Sequence, residues 1–341
     1  MRAAMLHAPG RVSVEQVRDP RIEQPTDAVV RVVAAGICGT DLRCYLGKPG
    51  PLQGPRCGHE FVGVVAHVGA AVRTVRPGQL VVAPFMFCDG ECVRCTHGLQ
   101  SSCPQGGMWS IAAGGAQAEG VRVPFADGTL VQVPFDENDE RIPAVLTLAD
   151  VMATGHHAIH AGGISRPATV AVIGDGAVGL CSVLAARRAG VERVFLLGRH
   201  EARLSIGRRF GLTDVVTVRG AEGEAQVIEA TGGAGVDLVV DAVGEQDTVD
   251  TAMAICADGG AISLVGGPHS VVEPMARFLR NITVTGGLAP ARAYLPALLD
   301  DVIAGDLDPS PVFDRVVDLA GIDLGYQAMA NRQATKVLVK P

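Results

Sequence analysis

The stretch "CDGECVRCTHGLQSSC", residues 88–103, holds four of the chain's nine cysteines: Cys88, Cys92, Cys95 and Cys103. Thiols this close together serve as disulfides, as a redox pair or as ligands for a soft metal ion. An odd total does not suit a fully paired disulfide framework. The opening residues "MRAAMLHAPGRVSVEQV" lack the apolar stretch and cleavage pattern of a secretory leader. The expected compartment is therefore the cytoplasm, where thiols stay reduced. "CVRC" has the spacing of a redox motif, but it lies in a glycine-rich polar lobe with two more cysteines nearby. Metal binding is the chemistry this cluster favours.

A glycine pattern supplies a second kind of chemistry. "VAVIGDGAVG" places Gly174, Gly176 and Gly179 in G-x-G-x-x-G spacing, between an apolar strand and a helix. Such glycines permit a tight turn, close backbone approach to a pyrophosphate, and close packing of helix on strand. Ala177 and Val178 open the helix, whose free N–H groups face the phosphates. The next strand, "RVFLLGRH", ends in Gly198, Arg199 and His200, with Arg203 close behind. An NAD binder carries an acid at this strand end, on the ribose hydroxyls. Gly198 removes that acid and Arg199 offers a clamp for a 2′-phosphate, so NADP(H) is expected over NAD(H). Val265, after "GAISL", is a further candidate cofactor contact.

The remaining donors are scattered. Cys38 in "GICGTDLRC" offers a thiolate and His59 in "GHEFVG" an imidazole, a pair that suits zinc. A catalytic zinc takes three protein ligands and keeps a fourth position open. Asp150, in "LADVMATGHHA", is the third candidate because it stands just before the glycine-turn segment.

These groups need two scaffolds. The chain has 341 residues, 48% hydrophobic and 19% charged, which is long for one core. Its net charge of -7 gives no basic footprint for nucleic acid, and no apolar run approaches the ~18 residues of a membrane span. "AVVRVVAAGIC", "FVGVVAHVGAAV" and "QLVVAPF" read as short strands between turn residues. From residue 149, apolar strands alternate with helical stretches, the signature of a parallel sheet covered on both faces. The expected architecture is α/β: a β-rich domain from residues 1–148 and 286–341, with a doubly wound domain at 149–285 inserted in it.

With "GICGTD", "GHEFVG", the cysteine lobe, "DVMATGHHA", "GDGAVG" and the glycine pair of "VTGGLAP" in one chain, the sequence resembles the zinc-dependent medium-chain alcohol dehydrogenases along its whole length. The resemblance implies a GroES-like catalytic domain, a Rossmann domain and reversible oxidation of a small alcohol to a ketone or aldehyde. It implies that Cys38, His59 and Asp150 hold a catalytic zinc, with aspartate in the third place as in the secondary-alcohol branch. Glu60 then stands beside that zinc as a displaceable or supporting carboxylate, and Thr40 relays the substrate proton. Five residues after Cys38, where many members carry a relay histidine, this chain has Arg43, which stays protonated.

The resemblance also implies a second, structural zinc in the lobe. Cys92, Cys95 and Cys103 fit the family positions; the fourth is expected at residue 89, where the chain has Asp89. Thiolate is the softer donor and Gly90 can absorb an extra residue, so Cys88 is expected as the ligand and Asp89 as its substitute. Trp109 and Met108 are expected on the substrate-pocket wall. A homodimer or homotetramer is implied through the last strands of the Rossmann sheet. A non-catalytic NADPH-binding zinc protein and a polyol- or threonine-type dehydrogenase are the alternatives.

Overall fold

The computed structural model describes residues 1–48, 55–163, 168–267 and 270–341. They form two compact units, Met1–Ala153 with Pro290–Pro341, and Thr154–Ala289. The edges of the second unit thus fall a few residues beyond 149 and 285. Among the described residues no helix is long and apolar enough to cross a membrane.

The first unit is built on a seven-stranded sheet. Its central strand, Ala28–Ile37, is long, β-branched and almost wholly buried, as expected for a strand covered on both faces. It pairs antiparallel with Phe61–Val68 on one side and with the C-terminal strand Lys336–Lys340 on the other. Register does the functional work here. Ala35 lies opposite Phe61 and Ile37 opposite Val337. The residues just beyond each pairing are Cys38, then His59 and Glu60, then Lys336, so three distant segments meet at one sheet end. Phe61, Trp109 and Tyr326 are among the large side chains filling the core beside it.

The second unit is a six-stranded parallel sheet. Its order is Asp214–Val216, Arg193–Leu197, Thr169–Ile173, Val236–Asp241, Cys256–Leu264, Thr283–Gly286. The first strand in sequence sits inside the sheet and the order reverses around it, which is the doubly wound arrangement expected from the alternating pattern. The reversal opens a crevice beyond the C-terminal ends of the strands, and Gly174 begins the turn there with φ +106°. The 12-residue helix Ala177–Arg188 follows, with Gly176 as its N-cap. A Cβ on Gly179 would collide with the carbonyl oxygen of Gly174, so glycine is required for helix and turn to approach.

Candidate metal centres and dinucleotide cavity

At the sheet end of the first unit the Cys38 thiol donates to Asp150 Oδ2 at 3.1 Å, and His59 Nε2 lies 3.3 Å from the same oxygen. Ligand atoms of Cys38, His59, Glu60 and Asp150 all lie within 4.8 Å of one another. All four residues are buried. His59 Nδ1 faces Asp41 Oδ1 at 3.3 Å, and Asp41 Oδ2 accepts from the Cys38 amide at 3.0 Å. Asp41 therefore fixes the imidazole so that Nε2 points at the cluster, the second carboxylate behind a histidine that tunes metal sites. It sits in the first turn of the helix Gly39–Tyr45, capped by Cys38.

The electrostatics of this cluster call for a cation. Burial, then the charge of Asp150, pushes the Cys38 thiol up to about 11. Burial alone would lower the His59 pKa, but the carboxylates of Asp41 and Asp150 raise it well above the ordinary value. Burial works to raise Asp150, and hydrogen bonding to His59 holds it well below the usual carboxylate range. Without a metal, protons must occupy this space; a divalent ion replaces them and permits thiolate, imidazole and carboxylate to sit together. One sulfur, one nitrogen and one oxygen donor with a carboxylate nearby suit zinc with an open position.

Glu60 is wholly buried and accepts from Lys336 Nζ at 2.7 Å, while its Oε2 has no hydrogen-bond partner among the described residues. Burial raises its pKa and the lysine opposes the shift. Gly36 is what admits this side chain, because a Cβ there would collide with Oε2. Thr40 is the second residue of the Gly39–Tyr45 helix, half-buried, and Arg43 lies three residues on. Lys336 escaped sequence reasoning, because only the pairing of Lys336–Lys340 with Ala28–Ile37 brings it to Glu60.

The lobe departs from expectation. Asp89, Cys92, Cys95 and Cys103 present ligand atoms within 4.8 Å of one another, and Cys88 is outside that set. The Cys88 thiol is wholly buried against Cys95 and Cys103 and donates to Gly128 O at 3.2 Å. Asp89 turns toward the cysteines. Its Oδ1 accepts from the amides of Glu91 at 2.9 Å and Cys92 at 3.0 Å, and its own amide donates to Cys103 Sγ. Partial burial works to raise its pKa, but the Cys92 and Glu91 amides bring it down to about 2. In this geometry Asp89 takes the place expected of Cys88, without an extra residue in the turn. Among the described residues, which include all nine cysteines, there is no disulfide.

Trp109 is also corrected. It is wholly buried, donates from Nε1 to Pro84 O at 2.8 Å and packs edge-on against Phe61 and Phe87, so it is core and not pocket wall. Met108 is buried beside it.

In the second unit a cavity of ≈ 350 Å³ opens at the sheet crevice, lined by Gly174, Gly198, Arg199, His200 and Val243 among others. Gly176, Ala177 and Val178 form the helix N-terminus next to it in sequence. Val265 follows the strand Cys256–Leu264 and donates its amide to Asp241 O at 3.0 Å. Arg203 reaches Asp175 Oδ1 at 3.3 Å. Asp175, the x of G-x-G, is the residue sequence reasoning passed over.

Residues 24–135 match the model of the alcohol dehydrogenase GroES-like domain, and residues 177–304 that of the zinc-binding dehydrogenases. A Mycobacterium tuberculosis protein named "Probable zinc-binding alcohol dehydrogenase" is 34% identical, over 99% of this chain and 87% of its own length. The NADP-dependent isopropanol dehydrogenase of Thermoanaerobacter brockii is 32% identical, over 93% of this chain and 92% of its own. Among solved structures, an alcohol dehydrogenase from Thermus sp. ATN1 superposes with a TM-score of 0.90 at 32% identity, covering 100% of this chain and 99% of that one.

Proposed function

Because the chain belongs to the zinc-dependent medium-chain alcohol dehydrogenases, we propose that it interconverts a small alcohol and the corresponding ketone or aldehyde with a nicotinamide dinucleotide. The observation that carries this reading is the convergence of Cys38 Sγ, His59 Nε2 and Asp150 Oδ2 in one buried cluster. These three residues would hold zinc, which supplies Lewis acidity toward the substrate oxygen. Asp41 keeps the His59 ring aimed. Glu60, with one oxygen unpartnered and the other tied to Lys336, stands ready as an additional carboxylate. The Thr40 hydroxyl carries the proton to or from the substrate oxygen; Arg43, always protonated, does not extend that path. In the lobe, Asp89, Cys92, Cys95 and Cys103 would enclose a second zinc with no open position, whose contribution is to hold the loop.

For the cofactor, the glycine turn and the N-terminus of the Ala177–Arg188 helix would take the pyrophosphate. Arg199, exposed at the cavity together with Arg219, favours NADP(H) as the sequence suggested. Asp175, a carboxylate lining the same cavity, opposes that preference.

A self-paired assembly also follows. The strand Thr283–Gly286 is an edge of its sheet, and Met275, Phe278, Leu279 and Leu288 are exposed close to it in sequence. An unpaired edge with apolar neighbours is a pairing surface, which supports a homodimer or a homotetramer.

The test is turnover of NAD(H) or NADP(H), followed at 340 nm with a panel of primary and secondary alcohols and their carbonyl products. Cys38→Ser should abolish it with the circular dichroism spectrum unchanged. Thr40→Val should lower kcat by about 10²-fold or more, the usual worth of a positioned proton carrier, and Thr40→Ser should recover most of it. Full activity in Cys38→Ser would remove the zinc reading.

A further inference from the structure

The strand Arg193–Leu197 ends without an acid, since Gly198 follows it. In the structure a carboxylate reaches that place from another element. Asp175 is buried, and its Oδ2 accepts from the amides of Arg199 at 2.9 Å and His200 at 3.0 Å. The same oxygen lies 2.8 Å from His200 Nδ1, and Oδ1 lies 3.3 Å from Arg203 Nη1. A Cβ on Gly198 would lie 2.5 Å from Asp175 Cβ and 2.9 Å from its Oδ2. An acid at position 198 and the acid at 175 would therefore compete for one volume, and glycine at 198 is what admits Asp175. Burial works against its charge, but these donors outweigh it and hold the carboxyl below its usual range.

Asp175 lines the ≈ 350 Å³ cavity at the sheet crevice, where a doubly wound sheet receives the adenosine ribose of a dinucleotide. Arg199 and Arg219 line it as well, opposed by Glu224, Asp247 and Asp250. A 2′-phosphate there needs donors. The two amides, the His200 ring and the Arg203 guanidinium are already turned to Asp175. A phosphate would have to take them over and remain beside a like charge, an unfavourable exchange. A ribose 2′-hydroxyl has the opposite need: it donates one hydrogen bond to a carboxylate that has lone pairs to share.

We infer that Asp175 is the specificity-determining residue for the cofactor: it replaces the missing strand-end acid, accepts the ribose 2′-hydroxyl of NAD(H), and opposes the 2′-phosphate of NADP(H) against the pull of Arg199. This rests on the reading of the chain as a nicotinamide-dependent dehydrogenase.

The experiment is direct binding of NADH and of NADPH, by nicotinamide fluorescence, to the zinc-replete protein and to Asp175→Asn, Asp175→Ala and Asp175→Gly/Gly198→Asp, the last because only glycine at 175 clears the Cβ that a side chain at 198 would meet. Both single variants should bind NADH more weakly and NADPH more tightly. The ratio of the two dissociation constants should move by about ten-fold or more, the effect of removing one repulsion of roughly 1.4 kcal/mol. The double variant, with its acid back at the strand end, should return the ratio toward that of the parent. An unchanged ratio, or equal weakening of both cofactors, would reduce Asp175 to a brace for residues 198–203 and overturn the inference. A parent that binds neither cofactor overturns the dehydrogenase reading itself, an outcome distinct from an unmoved ratio.

Discussion

The lobe offers a sharp contrast between two adjacent residues. In Cys88→Ala the protein loses a buried sulfur and one weak hydrogen bond to Gly128 O at 3.2 Å. A small cavity and one such donor cost about 1–2 kcal/mol of stability; Cys88 packs against Cys95 and Cys103 but supplies no atom to the ligand set. In Asp89→Ala it loses the oxygen grouped with Cys92, Cys95 and Cys103, and the acceptor that fixes the Glu91 and Cys92 amides. Losing a residue that merely orients a metal ligand weakens metal binding by about 10–100-fold, and losing a ligand itself should reach at least the upper end of that range. The measurement is competition for zinc against a chromophoric chelator, made in a Cys38→Ser background so that only the lobe contributes. Cys88→Ala should stay within about three-fold of that background, and Asp89→Ala should fall by roughly 100-fold or more. Cobalt in the lobe should show charge-transfer bands of three thiolates, unchanged by Cys88→Ala. A Cys88→Ala variant that loses zinc as Asp89→Ala does would refute the assignment, as would an Asp89→Ala variant that keeps it.

Two further outcomes follow from the packing. Lys336→Met leaves the wholly buried Glu60 without its 2.7 Å partner, so the protein should lose about 3–5 kcal/mol in urea unfolding. Adding Glu60→Gln should return most of that loss; no recovery would mean that the lysine stabilises by other contacts. Phe278→Glu places a charge on a side chain that is 76% exposed next to the edge strand, and should shift size-exclusion elution toward a monomer with thermal stability of the Rossmann unit little changed. Elution unaltered by this change would place the interface elsewhere.

Much of the site was legible because its residues abut strands. Cys38 closes one apolar run and His59 opens another, and antiparallel pairing in the observed register brings them together. The glycine turn was legible for the same reason, since strand, turn and helix are contiguous in sequence. What escaped depended on direction or distance. Cys88 and Asp89 both border the cysteine cluster, and donor softness could not reveal which of them presents the grouped atom. Lys336 joins Glu60 across 276 positions, through a strand pairing that no local pattern announces. Asp175 looked like a free position of the turn because the donors that hold it come from residues 24 to 28 positions later. Trp109, set in a loop-like stretch, suggested a pocket wall; an indole so large earns its burial only by finding a partner for its N–H, and Pro84 O provides one.

The central claim is that two zinc sites are built into the first unit, one at Cys38, His59 and Asp150 and one in the lobe. Zinc per chain, measured by plasma mass spectrometry on protein purified in zinc-replete buffer, tests it most directly. The account predicts about two in the parent and about one in Cys38→Ser. A parent without zinc, or a Cys38→Ser variant that carries as much as the parent, would contradict it.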